Sequence, residues 1–126
     1  MVDAPHLRAG RNSEQYARRW LEARGLKHIC SNFRCRYGEL DLVMRERECL
    51  VIVEVRYRYN DDYGGALPSV THAKLQRIAK AIQHLLTHQR QLRELPLRFD
   101  VLALAGPLDQ PTVNWCKRAC NFDDVD

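Results

Sequence analysis

The apolar residues of this chain fall into helically spaced stripes and short continuous runs. Tyr16, Ala17, Trp20 and Leu21 recur at helical spacing, while Arg18, Arg19, Glu22 and Arg24 take the opposite face. Asn12 or Ser13 can cap such a helix, Glu14 and Gln15 fill its first turn, and Gly25 suits its end, so a helix is expected over 13–24. The residues before it are polar and include a proline; 1–11, like 119–126 at the other end, are expected to fray. Strands are expected at 27–33 and 40–44, with a turn at Tyr37-Gly38 between them. The run Leu50-Val51-Ile52-Val53-Glu54-Val55-Arg56-Tyr57 is rich in β-branched residues, and its apolar start suggests a central strand buried on both faces. Arg45 to Glu48 is too polar for a strand interior and reads as a hairpin loop centred near Arg47.

Asn60 to Pro68 reads as a loop. Ser69 or Thr71 can cap a second helix, whose stripe is Leu75, Ile78, Ile82, Leu85 and Leu86, and whose other face carries Lys74, Arg77, Lys80 and His84. It should end between Gln89 and Leu92. Two further strands are expected at 98–105 and 112–117, separated by a Gly106-Pro107 turn. The order α-β-β-β-α-β-β, without repeat, linker or low-complexity segment, predicts one α/β domain with a central mixed β-sheet flanked by helices. The helix between the third and fourth strands should make those two parallel.

Charge sharpens this picture. The chain has 126 residues and a formal net charge of +4; four of its 20 basic residues are lysines (Lys27, Lys74, Lys80, Lys117) and the rest arginines. Arginine pairs bidentately with phosphate, and Asp123, Asp124 and Asp126 confine part of the negative charge to the C-terminus, so the body favours an anionic partner such as nucleic acid. A solvated charged surface is the plainer alternative. The five cysteines are odd in number, no secretory leader is recognisable, and no run approaches the ~20 apolar residues of a membrane span, which points to a reducing cytoplasm. Zinc held by Cys30, Cys35, Cys116 and Cys120 would need a spacing unlike the usual paired CxxC, and His84 with His88 is a weaker signal still.

Two acids stand where acids are costly: Asp41 between Leu40 and Leu42, and Glu54 between Val53 and Val55. An unpaired carboxylate in a strand interior costs several kcal/mol, by order of magnitude, so a metal, a base or backbone donors must compensate. Leu50, Ile52, Glu54 and Arg56 share one strand face. The hairpin sets Asp41 opposite Val53 or Glu54, and in one of those registers both carboxylates face the same side. Two hard oxygen ligands side by side suit Mg²⁺. The competing readings are a buried acid bonded to backbone or arginine for Asp41, and an ion pair with Arg56 or Arg36 for Glu54. Glu39 reads as an exposed acid. Asp100 reads as a structural acid bonded to neighbouring backbone, and Trp20 and Trp115 as packing residues. Tyr57, Tyr59 and Tyr63 either stack on unpaired nucleotides or pack their loop.

Gly38-Glu39-Leu40-Asp41-Leu42-Val43, Val53-Glu54-Val55-Arg56-Tyr57-Arg58 and Arg98-Phe99-Asp100-Val101 carry a resemblance to the YraN-like family of uncharacterised proteins. The entry helix (Glu14, Ala17, Leu21, Gly25) and the stretch from Tyr63-Gly64 to Lys74 fit it too. That family is similar to the PD-(D/E)xK nucleases, especially archaeal Holliday-junction resolvases. The resemblance implies a restriction-endonuclease-like fold and a Mg²⁺ or Mn²⁺ site of Asp41 and Glu54, with the Val55 carbonyl as third ligand and Glu14 reaching in from the first helix. It implies phosphate contacts from Arg56, Arg58 and Lys74, and DNA, including branched DNA, as substrate. The motif lysine of that superfamily falls on Arg56. Arginine stays protonated and is no general base, although it can stabilise a pentavalent phosphate. Three functions stay open: a metal-dependent nuclease, a nuclease fold that grips nucleic acid without cutting, and an assembly protein forming a homodimer.

Overall fold

A computed structural model describes residues 5–59 and 70–120, with side chains from residue 12 onward. The elements are α1 (Pro5–Glu22), β1 (Lys27–Cys35), β2 (Gly38–Glu46), β3 (Cys49–Arg58), α2 (His72–His88), a short 3-10 helix (Arg90–Leu92), β4 (Leu97–Ala105) and β5 (Thr112–Cys116). This is the α-β-β-β-α-β-β order read from the sequence. One five-stranded sheet runs β1-β2-β3-β4-β5, with β3 and β4 parallel and the other neighbours antiparallel.

Local chemistry explains the element ends. Gly25, at φ +95°, closes α1: its amide donates to the Glu22 carbonyl, and the Leu26 amide to the Leu21 carbonyl. That is a Schellman arrangement, sealed by the buried side chains of Leu21 and Leu26. Thr71 caps α2, its hydroxyl accepting from the Lys74 amide at 3.2 Å. The β2–β3 turn falls on Arg47 and Glu48, with Arg47 left-handed at φ +54°. The start of α1 differs from expectation. Residues 5–10, expected to fray, are helical, and Ser13 is a buried mid-helix residue rather than a cap. Proline is accommodated at a first helical position, and Leu7, Arg8 and Ala9 are good helix formers, so the helix starts roughly two turns early. At the other end, the Ala119 amide donates to the Phe99 carbonyl, so the chain is tied down as far as that residue. The expected loop at 60–68 lies outside the described residues.

Two cores lie on the two faces of the sheet. Ile78, Ala81, Ile82 and Leu85 of α2 pack with Leu40, Val43, Leu50, Ile52, Phe99 and Val101. Ala17 and Leu21 of α1 pack with Leu42, Met44, Val51, Val53, Leu102 and Leu104. Both faces of β3 are therefore buried, as its apolar run suggested.

The ladder between β2 and β3 stops early. Its pairs run from Glu46↔Cys49 to Leu42↔Val53. Beyond that point Glu39 and Leu40 pair with β1, whereas Glu54 to Arg58 pair with β4. Leu40 belongs to the α2-side core and Leu42 to the α1-side core, so regular alternation breaks at Asp41. The sheet forks there, and the fork opens between the N-terminal half of β2 and the C-terminal half of β3.

Candidate metal centre

Asp41 sits at the crotch of this fork. Its Oδ2 accepts the Val55 amide at 2.9 Å, taking the place that a β2 carbonyl would hold in a continued ladder. The Glu54 carboxylate is near enough for its charge to raise the Asp41 carboxyl. The two acids singled out in the sequence therefore lie close together, each one residue past the last β2–β3 ladder pair.

They do not share one set of partners. Lys74, in the first turn of α2, donates its ammonium to Glu54 Oε1, and Arg56 Nε lies 3.6 Å from the same oxygen. Asp41 instead gathers acids: one carboxylate oxygen from each of Glu14, Glu39 and Asp41 lies within 4.8 Å of the other two. Glu14 comes from α1, and Glu39 from β2 two residues before Asp41. Asn32, left-handed at φ +53° in β1, acts to lower the Glu14 carboxyl. Glu39 carries one exposed counter-charge, with Arg34 Nε at 3.3 Å.

The electrostatics follow from this crowding. Burial is the first cause that raises the Asp41 carboxyl, and the charge of Glu54 is the second; together they push it up to about 8, against the Val55 hydrogen bond. Glu14 is raised as well, first by burial, with Glu39 and Glu54 adding to it and Asn32 opposing. Like charges have been collected where solvent screens them poorly, and among the described residues no cation bonds Asp41. All the donors are hard carboxylate oxygens. Ligands bound to one Mg²⁺ or Ca²⁺ stand roughly 3–5 Å apart, so the spacing fits a single divalent ion. A bound cation inverts the local logic: it makes the ionised form of each carboxyl the favoured one.

The sequence-predicted residues sort accordingly. Glu14 and Asp41 join the acidic group, and Glu39, read as an exposed acid, joins them. Its signal was available, because residues two apart in a strand share a face. Asn32 had no signal. Glu54 adjoins the group and links it to a basic pair, Lys74 and Arg56. Arg56 Nε is buried and has no hydrogen-bond partner among the described residues. Val55 contributes its amide to Asp41. Arg58 is exposed at the end of β3, where its carbonyl accepts the Gly106 amide at 2.9 Å. Tyr57 donates to the Gly106 carbonyl at 2.9 Å, Tyr59 is exposed, and Tyr63 lies outside the described residues. No disulfide joins the five cysteines, and among the described residues neither they nor His84 and His88 form a metal-ligating group. No described helix is long and apolar enough to cross a membrane.

Residues 13–104 match the model of the uncharacterised protein family UPF0102. A UPF0102 protein of Aeromonas hydrophila is 47% identical over 111 residues, covering 87% of this chain and 82% of its own. One of Pseudomonas fluorescens is 40% identical over 119 residues, covering 94% and 98%. One of Legionella pneumophila is 42% identical over 110 residues, covering 87% and 92%. Among solved structures, Pyrococcus furiosus SfsA in complex with Ca²⁺ aligns with a TM-score of 0.39 at 14% identity; the match covers 89% of this chain and 63% of that one.

Proposed function

We propose, for a chain that belongs to the uncharacterised protein family UPF0102, that the forked sheet binds one divalent cation and engages the phosphodiester backbone of DNA, branched DNA included, as a Mg²⁺- or Mn²⁺-dependent nuclease. The observation that carries this reading is the convergence of Glu14, Glu39 and Asp41 beside Glu54, with Asp41 pushed up to about 8. Such a concentration of acid is costly to the fold and is relieved by a cation.

When bound, the ion neutralises charge on a scissile phosphate and lowers the pKa of bound water. Glu14, Glu39 and Asp41 hold it, with Glu54 and the Val55 backbone closing the side towards β3. The Val55 amide fixes the rotamer of Asp41. Arg56 and Lys74 present two cations at the edge of the acid group and orient a phosphate by charge-assisted hydrogen bonds. Arg56 stays protonated throughout. Arg58 extends the basic edge along β3. A specific feature favours a second reading, binding without cleavage: Arg56 stands where a lysine would be expected, and Lys74 is already engaged with Glu54.

Titration with Mn²⁺ or Mg²⁺, followed by urea unfolding, tests the site. At 100 times the dissociation constant a native-state ligand stabilises by about 2.7 kcal/mol. That gain is expected in the wild type and lost in Asp41→Asn. No gain with either ion overturns the reading. Incubation with duplex, flap, junction and single-stranded DNA then separates the two versions: metal-dependent cleavage abolished by Asp41→Asn supports the nuclease, and retention without cleavage supports the binding module.

A further inference from the structure

A second feature lies beside the fork, across Gly38. Helix α2 has no Asp or Glu among its 17 residues, and Lys74, Arg77, Lys80, His84 and His88 follow one another at three- and four-residue steps along one flank. Among the described residues no acid pairs with Arg77 or Lys80. The flank faces the β1–β2 turn: a Cβ placed on Gly38 would lie 3.8 Å from Arg77 Cβ. In that turn stands Tyr37. The Arg36 guanidinium lies 4.8 Å from its ring centroid and donates to its hydroxyl at 2.6 Å, and the Lys80 ammonium lies 5.6 Å from the same centroid. Tyr37, Lys80, Gln83, His84 and Thr87 line an open groove of about 310 Å³.

An aromatic face attended by cations, repeated along a basic flank, is the chemistry that holds a strand of unpaired nucleotides: the ring takes a base and the cations take its phosphates. Gln83 and His84 add groups that both donate and accept, as base edges require. A membrane surface is a poorer match, because the large exposed hydrophobics among the described residues are Tyr59 and Leu97, neither of which lines this groove. We infer that the Tyr37 groove is a contact for single-stranded nucleic acid, seating one base on Tyr37 and its flanking phosphates on Arg36, Arg77 and Lys80. The inference deepens the nucleic-acid reading of the fork and rests on it. Lys74 and Arg77 lie between the two, so a strand held here would lead towards the acids.

The test is fluorescence anisotropy of the full chain with short oligothymidylate, its ribose counterpart and a duplex of equal length, in EDTA across a salt series. Wild type should bind the single strands with an affinity that falls steeply with salt. Tyr37→Ala and Tyr37→Leu should each weaken single-strand binding about tenfold, leave duplex binding within about twofold, and be matched to wild type by Tyr37→Phe. Arg77→Ala with Lys80→Ala should lower the salt slope by a little over one. The deoxy and ribo arms decide which strand is preferred, and either preference supports the inference. It is overturned if wild type binds neither strand at low salt, if both Tyr37 variants bind as wild type does, or if polyglutamate competes as strongly as the oligonucleotide per charge. Because EDTA removes divalent ions, strand binding that survives alongside a failed metal titration keeps the groove and discards the metal centre. The opposite result discards only the groove.

Discussion

Asp41 and Asp100 are both acids inside strands of one sheet, yet their surroundings are opposite. Asp100 is 0% exposed and fully answered. Arg98 Nε and Nη2 donate to its two oxygens at 3.0 Å each, Trp115 Nε1 at 2.9 Å and the Arg118 amide at 3.1 Å. Arg98 in turn reaches Glu46 at 2.7 Å, and Trp115 stacks edge-on against Trp20 with centroids 5.6 Å apart. One buried carboxylate thus ties β4 to β5, to the C-terminal segment and, through Arg98, to the end of β2. Asp41 has one backbone donor and acids for neighbours. Burial of an acid is therefore no mark of a site. The mark is burial with its charge unanswered, where an arrangement useful to a ligand costs the ligand-free fold.

The contrast can be broken from either side. Removing Asp100 should have the largest effect. Asp100→Ala leaves Arg98 buried without its main partner and should cost about 3–5 kcal/mol, read as a fall in the urea midpoint. Asp41→Asn should go the other way in metal-free buffer, raising stability by on the order of 1–2 kcal/mol at pH 7, because it removes the cost of holding on a carboxyl a proton that the unfolded chain gives up. It should also weaken Mn²⁺ binding at least tenfold, since a direct ligand is lost. A loss of stability in Asp41→Asn comparable with that in Asp100→Ala would erase the distinction between the two acids.

The pH dependence sharpens it further. The Asp41 carboxyl is raised from 3.8 to about 8, so the folded state binds more protons than the unfolded one between those values. Stability present below about pH 4 should be lost as pH rises through about 8, and urea midpoints at pH 5 and pH 8.5 should differ in the wild type more than in Asp41→Asn. Glu46 shifts the opposite way, held below its usual range by the hydrogen bond from Arg98. Its contribution is present above the unfolded value and lost as pH falls through the folded one. Since its side chain is about a quarter exposed, Glu46→Gln should cost only about 0.5–1 kcal/mol at neutral pH, the smallest of these effects.

Much of this was legible in the chain. The continuous apolar run before Glu54 announced a central strand, the stripe from Leu75 to Leu86 announced α2, and Gly25 and Thr71 marked real helix ends. Asp41 and Glu54 stood out because acids inside apolar strands need an explanation. The start of α1 was misread, since a polar amphipathic helix and a frayed terminus have similar composition. Asp100 was rightly read as structural, but its partners are mostly side chains from Arg98 and Trp115 rather than neighbouring backbone.

Hydrophobic period and capping chemistry act over a few residues, so the sequence alone determined the elements, their order and the presence of two costly acids. Which groups those acids meet was decided by the tertiary structure. The sheet forks at Asp41 because β2 stays with β1 while β3 stays with β4, the extended α1 brings Glu14 to the opening, and the first turn of α2 carries Lys74 to Glu54. Each of these is a long-range pairing set by register and helix packing, and an isolated segment holds no record of a partner many residues away.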